Sequence, residues 1–168
     1  MRTFRLLAAV PLLLAAHAAP AADPARPASA CLSLGDGWVR LPPASQPMLA
    51  GYGRIENRCA GVATVVAARS PDFAEVSLHE TRTEGGVSRM REIERLAVAP
   101  GEAATLQPGG LHLMLMQPRR ALGEGDSVPL VLQLEDGATV EATLAVRRTP
   151  PQSGDAPADH DHHGHHGH

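Results

Sequence analysis

The chain of 168 residues contains no lysine, only two cysteines and 2% aromatic residues. Its 15 basic side chains are all arginine, outnumbered by 18 Asp and Glu, and the formal net charge is -3. A generic nucleic-acid binder needs a basic face to neutralise phosphates, so that class is excluded. The signatures G-x-S-x-G and H-E-x-x-H are missing, as is any thiolate–histidine pair, which argues against a hydrolase or other enzyme. Long apolar runs are missing too, apart from Leu6–Ala16 near the start. That run is too short to cross a hydrocarbon core of about 30 Å.

What is present is 43% hydrophobic residues, 20% charged residues, 16 Gly and 15 Pro, enough for one modest domain with tails. Arg2 and Arg5 precede the Leu6–Ala16 run, and Ala16-His17-Ala18 and Ala19-Pro20-Ala21 offer small-residue cleavage sites. Residues 1–22 therefore read as a secretory signal peptide, with no membrane span remaining after cleavage. Loss of Arg2 and Arg5 would take the charge to -5. Residues 23–30 are a Pro/Ala linker, 31–148 the folded domain, and 149–168 a disordered His-rich tail without apolar periodicity.

Export sets the reading of Cys31 and Cys59. In an oxidising compartment the two thiols are expected to pair, stabilising the fold by about 3 kcal/mol through loop closure. Redox or metal-binding thiols are the alternative, but the spacing is far from C-x-x-C. A lipidated Cys31 after Ala28-Ser29-Ala30 is a further alternative. Against it, Asp23 and Arg26 interrupt the run and Cys31 lies well beyond the apolar segment.

Within 31–148, short β-like runs alternate with breakers. The runs are 37–40, 51–57, 63–70, 74–81, 87–96, 111–117, 128–135 and 138–146. Pro42-Pro43, Gly85-Gly86, Pro100-Gly101, Pro108-Gly109-Gly110 and Asp136-Gly137 separate them. No stretch carries a long 3.6-residue stripe, so seven or eight strands in an all-β antiparallel sandwich are expected. Asp136-Gly137 is a hairpin signal.

One run carries chemistry. Leu111-His112-Leu113-Met114-Leu115-Met116 alternates strictly, so a strand turns its leucines to one face and His112, Met114 and Met116 to the other. An imidazole and a thioether about 6–7 Å apart at Cα reach one ion. With Gly85-Gly86 as a two-residue turn, Glu84 opposes Val87, Thr81 opposes Met90 and His79 opposes Glu92, which makes His79 and Met90 diagonal neighbours on one face. The same register puts Arg89 and Arg91 on the face of Val76 and Leu78, which requires a bulge or an edge position. Neutral thioethers suit Cu(I), not Mg, Ca or Mn, and zinc favours thiolate, imidazole or carboxylate. A blue-copper centre would need a cysteine thiolate, and neither cysteine is near the run. Methionine as core filler and histidine as a hydrogen-bonded structural residue are the competing readings.

Taken together, His79, Met90, His112 and Met114 form H-x10-M-x21-H-x-M. This pattern resembles that of the periplasmic copper chaperone family PCuAC. Gly37-Trp38-Val39-Arg40, Ala50-Gly51-Tyr52, Leu78-His79-Glu80 and Pro108–Leu115 are also similar to that family. The resemblance covers about residues 31–148. It implies a cupredoxin-like β-sandwich holding one Cu(I) on His79, Met90, His112 and Met114. It also implies a non-catalytic periplasmic metallochaperone whose partners are the copper subunit of cytochrome c oxidase and a Sco-like thioredoxin-fold protein. Met48 and Met116 fall outside the pattern and read as packing or rim residues.

Six of the nine histidines lie in the last nine residues. His160, His162, His163, His165, His166 and His168, interleaved with Asp and Gly, suit Cu(II) or Zn(II) as accessory ligands. Two rival functions remain open at this point: a periplasmic copper-buffering or tolerance protein, and a non-catalytic adhesion or structural sandwich.

Overall fold

The computed structural model describes residues 31–151. The expected signal peptide, the linker and the six tail histidines lie outside the described residues. Among the described residues there are ten strands: β1 (Leu32–Arg40), β2 (Met48–Asn57), β3 (Ala63–Arg69), β4 (Phe73–Glu84), β5 (Val87–Glu92), β6 (Leu96–Val98), β7 (Ala103–Leu106), β8 (Leu111–Pro118), β9 (Ser127–Leu134) and β10 (Thr139–Arg147). Among the described residues there is no helix, and hence none long and apolar enough to cross a membrane.

The strands follow the order β5-β4-β8-β7-β2-β1-β10-β9-β3-β6, and β8 also pairs with β2. A contact between β3 and β4 at Ala68 and Val76 closes the sheet on itself. The inward faces meet in an aliphatic core in which Val39, Ile55, Leu113, Leu115, Val128, Leu130, Leu132, Leu144 and Val146 are essentially fully buried. Burying each such side chain contributes about 1.5–3 kcal/mol, so this interior carries the stability of the domain. The architecture is the expected cupredoxin-like β-sandwich.

Three features depart from the sequence reading. The 87–96 run is two strands, because Ile93 N–H donates to Leu78 O at 2.8 Å and the chain then leaves β4 to pair with β3 as β6. The four residues of β7 are too short to show a period, and pairing with Gly53–Glu56 of β2 and, at Leu106, with Leu111 of β8 makes them a strand. The sandwich is not wholly antiparallel. Trp38–Arg40 of β1 run parallel to Ala145–Arg147 of β10, and a parallel pair needs a long crossover, here the whole intervening fold.

The turns behave as their residues dictate. Gly85 and Gly86 take φ of 58° and 80°, the left-handed values that a tight hairpin demands at both central positions. Gly137, at φ 86°, ends a turn in which its N–H donates to Leu134 O at 3.0 Å. Cys31 and Cys59 are joined in a disulfide, with their Cα atoms 5.0 Å apart. It fastens the entry to β1 to the turn after β2.

Candidate metal centre

The site is built on strands β5, β4 and β8. The Gly85-Gly86 turn sets the β4–β5 register, with Thr81 opposite Met90 and His79 opposite Glu92, as the two-residue turn requires. On the other side of β4, His79 lies opposite His112 and Ser77 opposite Met114. Residues opposite each other share a face, so His79, Met90, His112 and Met114 all project from the outer side of the sheet. The inner side of the same strands carries Leu78, Leu113 and Leu115, all buried.

The arginines that strained the sequence reading are accommodated by an edge position. β5 is the terminal strand and pairs only with His79–Glu84, where β4 runs past the core. Arg89 and Arg91 are exposed there. Glu80 accepts from Arg91 Nη2 at 2.9 Å and pairs with Arg82 Nε at 2.8 Å. These contacts, led by Arg91, hold the Glu80 carboxyl below its usual pKa. On the opposite side of the hairpin Thr83 Oγ1 and Ser88 Oγ are 3.1 Å apart. The hairpin that carries Met90 is thus held by polar pairs, without a core of its own.

The two imidazoles are oriented differently. His112 is 7% exposed. Its Nδ1 is 2.9 Å from Gly110 O, which also accepts from Thr81 N–H at 3.0 Å. A carbonyl only accepts, so Nδ1 bears the proton and Nε2 of the neutral ring bears a lone pair. That Nε2 faces Met90 Sδ at 3.2 Å. Two lone-pair donors converge there with no proton between them, an arrangement that a cation would satisfy.

His79 lies with its ring centre 6.0 Å from that of His112. Its Nε2 is 3.0 Å from Ser77 Oγ, whereas its Nδ1 is buried without a hydrogen-bond partner. A buried unpaired nitrogen is costly and calls for an explanation. Where Nε2–H donates to Ser77 Oγ, Nδ1 bears a free lone pair. Burial pushes the His79 pKa below its ordinary value, while Glu92 pulls it upward.

Met114 sits two residues along β8 from His112, half-buried between the small side chains of Ser77 and Ala50 on the neighbouring strands. Met90 is 52% exposed. The candidate donor set is therefore two imidazoles and two thioethers, with His112 buried and Met90 exposed. Among the described residues no three His, Cys, Asp or Glu side chains gather as a metal-holding group, so a four-ligand site on His79 and His112 would be completed by the thioethers of Met90 and Met114. Ser77 and the Gly110 carbonyl are the orienting groups that sequence reasoning missed. Ser77 shares the parity of His79 and could have been found by alternation, but a backbone carbonyl leaves no such trace.

Met48 and Met116, expected as packing or rim residues, stand on the same outer face. They oppose each other across β2 and β8, outside the four-residue cluster.

Comparison with known proteins places this architecture. Residues 32–146 match the family described as putative lipoprotein LpqE-like. A putative lipoprotein of Leifsonia xyli subsp. xyli, Lxx21020, is 33% identical over 111 residues, 66% of this chain, and the chain spans 66% of that relative's length. Among solved structures, the Cu(I) form of DR1885 from Deinococcus radiodurans is 29% identical with a TM-score of 0.58, covering 71% of this chain and 79% of that one. The apo PCuAC domain from PmoF1 is 20% identical at the same TM-score of 0.58, covering 70% and 94%. The family and the Leifsonia relative are described as putative lipoproteins; here the Cys31 sulfur is bonded to Cys59. With residues 32–146 matched by its profile, and with the fold of the PCuAC domains, the chain belongs to the LpqE-like family.

Proposed function

We propose that this protein is an exported Cu(I)-binding metallochaperone whose ligands are His79, Met90, His112 and Met114. The observation that carries the reading is the convergence of His112 Nε2 and Met90 Sδ at 3.2 Å, with the other ring nitrogen tied to Gly110 O. Thioether and neutral imidazole donors match a soft monovalent ion, leave its charge unneutralised and need no deprotonation beyond the histidines. Copper is the cargo, and the site has the asymmetry a carrier requires. His112 is buried and oriented, whereas Met90 is exposed on an edge strand, where an incoming ligand can displace it stepwise. The Cu(I) form of DR1885 among the structural neighbours supports copper as the ion.

The destination proposed is the periplasm, with delivery to the copper subunit of cytochrome c oxidase beside a Sco-like partner. The PCuAC resemblance supports this part.

Copper K-edge X-ray absorption on the anaerobically loaded chain tests the site. Residues 149–168 contain no sulfur, and both cysteines are in the disulfide. Copper–sulfur scattering can therefore come only from methionine. The expected result is mixed nitrogen and sulfur coordination in the wild type, with the sulfur contribution reduced in Met114→Leu. Nitrogen-only coordination in the wild type would overturn the assignment. Delivery is tested by mixing the loaded chain with the apo copper domain of the oxidase, where copper remaining wholly on the chaperone would refute it.

A further inference from the structure

All four methionines of the described residues, Met48, Met90, Met114 and Met116, stand on the outer face of one continuous stretch of sheet, β5-β4-β8-β2. The aliphatic core contains no methionine. Methionine used as flexible filler would be found inside. Two of the four belong to the cluster described above, and the other two are left over. Met48 lies directly opposite Met116, which places their Cβ atoms about 4.5–5.5 Å apart. Met116 is two residues along β8 from Met114, on the same face. Met48 is 43% exposed, and its inward neighbour Leu49 is buried, so the sequence spends the core position on leucine and leaves the thioether in solvent. The second cross-strand partner of Met116 is Glu75, an exposed carboxylate.

We propose that Met48 and Met116 form a second, weaker site for a soft monovalent cation, beside the four-ligand site and in line with it through Met114. Two thioethers in cross-strand register clasp a d10 ion such as Cu(I) or Ag(I), to which sulfur binds far better than to hard divalent ions. The Glu75 carboxylate supplies the negative charge that a pair of neutral ligands lacks. Ser77 and Ala50 flank Met114 on either side, so no bulky side chain separates the two sites along β8. An ion held by two exposed thioethers is less constrained than one held by two imidazoles and two thioethers. The pair is therefore a point of entry or exit from which Met114 takes or gives the ion. The hand-over to Met114 rests on the chaperone reading, but Met48, Met116 and Glu75 are not among its ligands, so either site can fail alone.

The test is a silver titration of the full chain carrying 13C-methyl methionine, followed by NMR, with Ag(I) as the redox-inert stand-in for Cu(I). Silver is carried to an excess over the histidines of the tail. The Met90 and Met114 methyl signals are expected to move in a first step, and those of Met48 and Met116 in a second. Met48→Leu should abolish the second step at Met116 and leave the first-step affinity within about twofold, a difference of about 0.4 kcal/mol. Met116→Leu should do the same at Met48. Methyl signals of Met48 and Met116 that stay fixed while Met90 and Met114 move would overturn the proposal. So would movement of all four in a single step, or a second step that survives both variants. Immobile Met90 and Met114 signals would instead refute the four-ligand site, whatever Met48 and Met116 do.

Discussion

Strands β4 and β8 have two faces made from alternate residues of the same segments, and the two could hardly differ more. Inside, Leu78, Leu113 and Leu115 are buried branched aliphatics, the last two at near-zero exposure. Outside, His79, His112, Met114 and Met116 carry nitrogen and sulfur lone pairs, and their neighbours across the sheet include small residues such as Ser77 and Ala50. The inner face holds the strands in place through shape and the exclusion of water. The outer face uses that fixed spacing as a scaffold for ligands. Side chains on the outer face can therefore be held at set positions without contributing much to the stability of the fold, and an ion bound by them would leave without unfolding it.

The comparison is broken most severely from inside. Leu115→Ala removes a fully buried side chain and is expected to destabilise the domain by about 2–5 kcal/mol, measured by denaturant unfolding. A smaller loss would show that the inner face is not the source of rigidity. Next comes the Cys31–Cys59 bond. Its replacement by Cys31→Ser with Cys59→Ser should cost about 3 kcal/mol yet leave one tight Cu(I) per chain in an anaerobic competition assay. A change in stoichiometry would draw the cysteines into the metal centre.

Substitution on the outer face should show the reverse pattern. Met114→Leu is a nearly volume-conserving change and should alter stability by less than about 1.5 kcal/mol. It should weaken Cu(I) binding by about tenfold or more, equivalent to about 1.4 kcal/mol. Unchanged affinity would assign Met114 to packing and favour a structural sandwich. Ser77→Ala tests the orientation of His79. It leaves the fold intact and should lower Cu(I) affinity by about tenfold, as loss of a group that orients a ligand does.

The smallest effect lies away from both faces. Gly123 N–H and the Arg120 guanidinium hold the Asp126 carboxyl below its ordinary pKa. A carboxylate whose pKa is depressed by folding stabilises the native state above its unfolded pKa, and that contribution is lost as pH falls through the folded value. Asp126→Asn should therefore lower the melting temperature slightly at neutral pH, and the gap should close in acid. A gap independent of pH would assign the effect to hydrogen bonding alone. Metal binding should be unaffected throughout.

Strand alternation, the Gly85-Gly86 turn and the chemical identity of the donors were determined by sequence alone, because each depends on neighbours within a few residues. Leu111–Met116 declares its two faces by parity, and the hairpin register follows from a two-residue turn that only left-handed backbone can make. The sequence also contains the spacing of His79, Met90, His112 and Met114, but spacing does not bring strands together. Only the tertiary structure decided that His79 would face His112, that β5 would be an edge strand able to carry Arg89 and Arg91, and that the Gly110 carbonyl would orient one imidazole. It also decided that Met48 would meet Met116. The physical reason is that a pleat is a local property of the chain. Adjacency between strands, above all the parallel pairing of β1 with β10, is chosen by burial of apolar surface from distant segments.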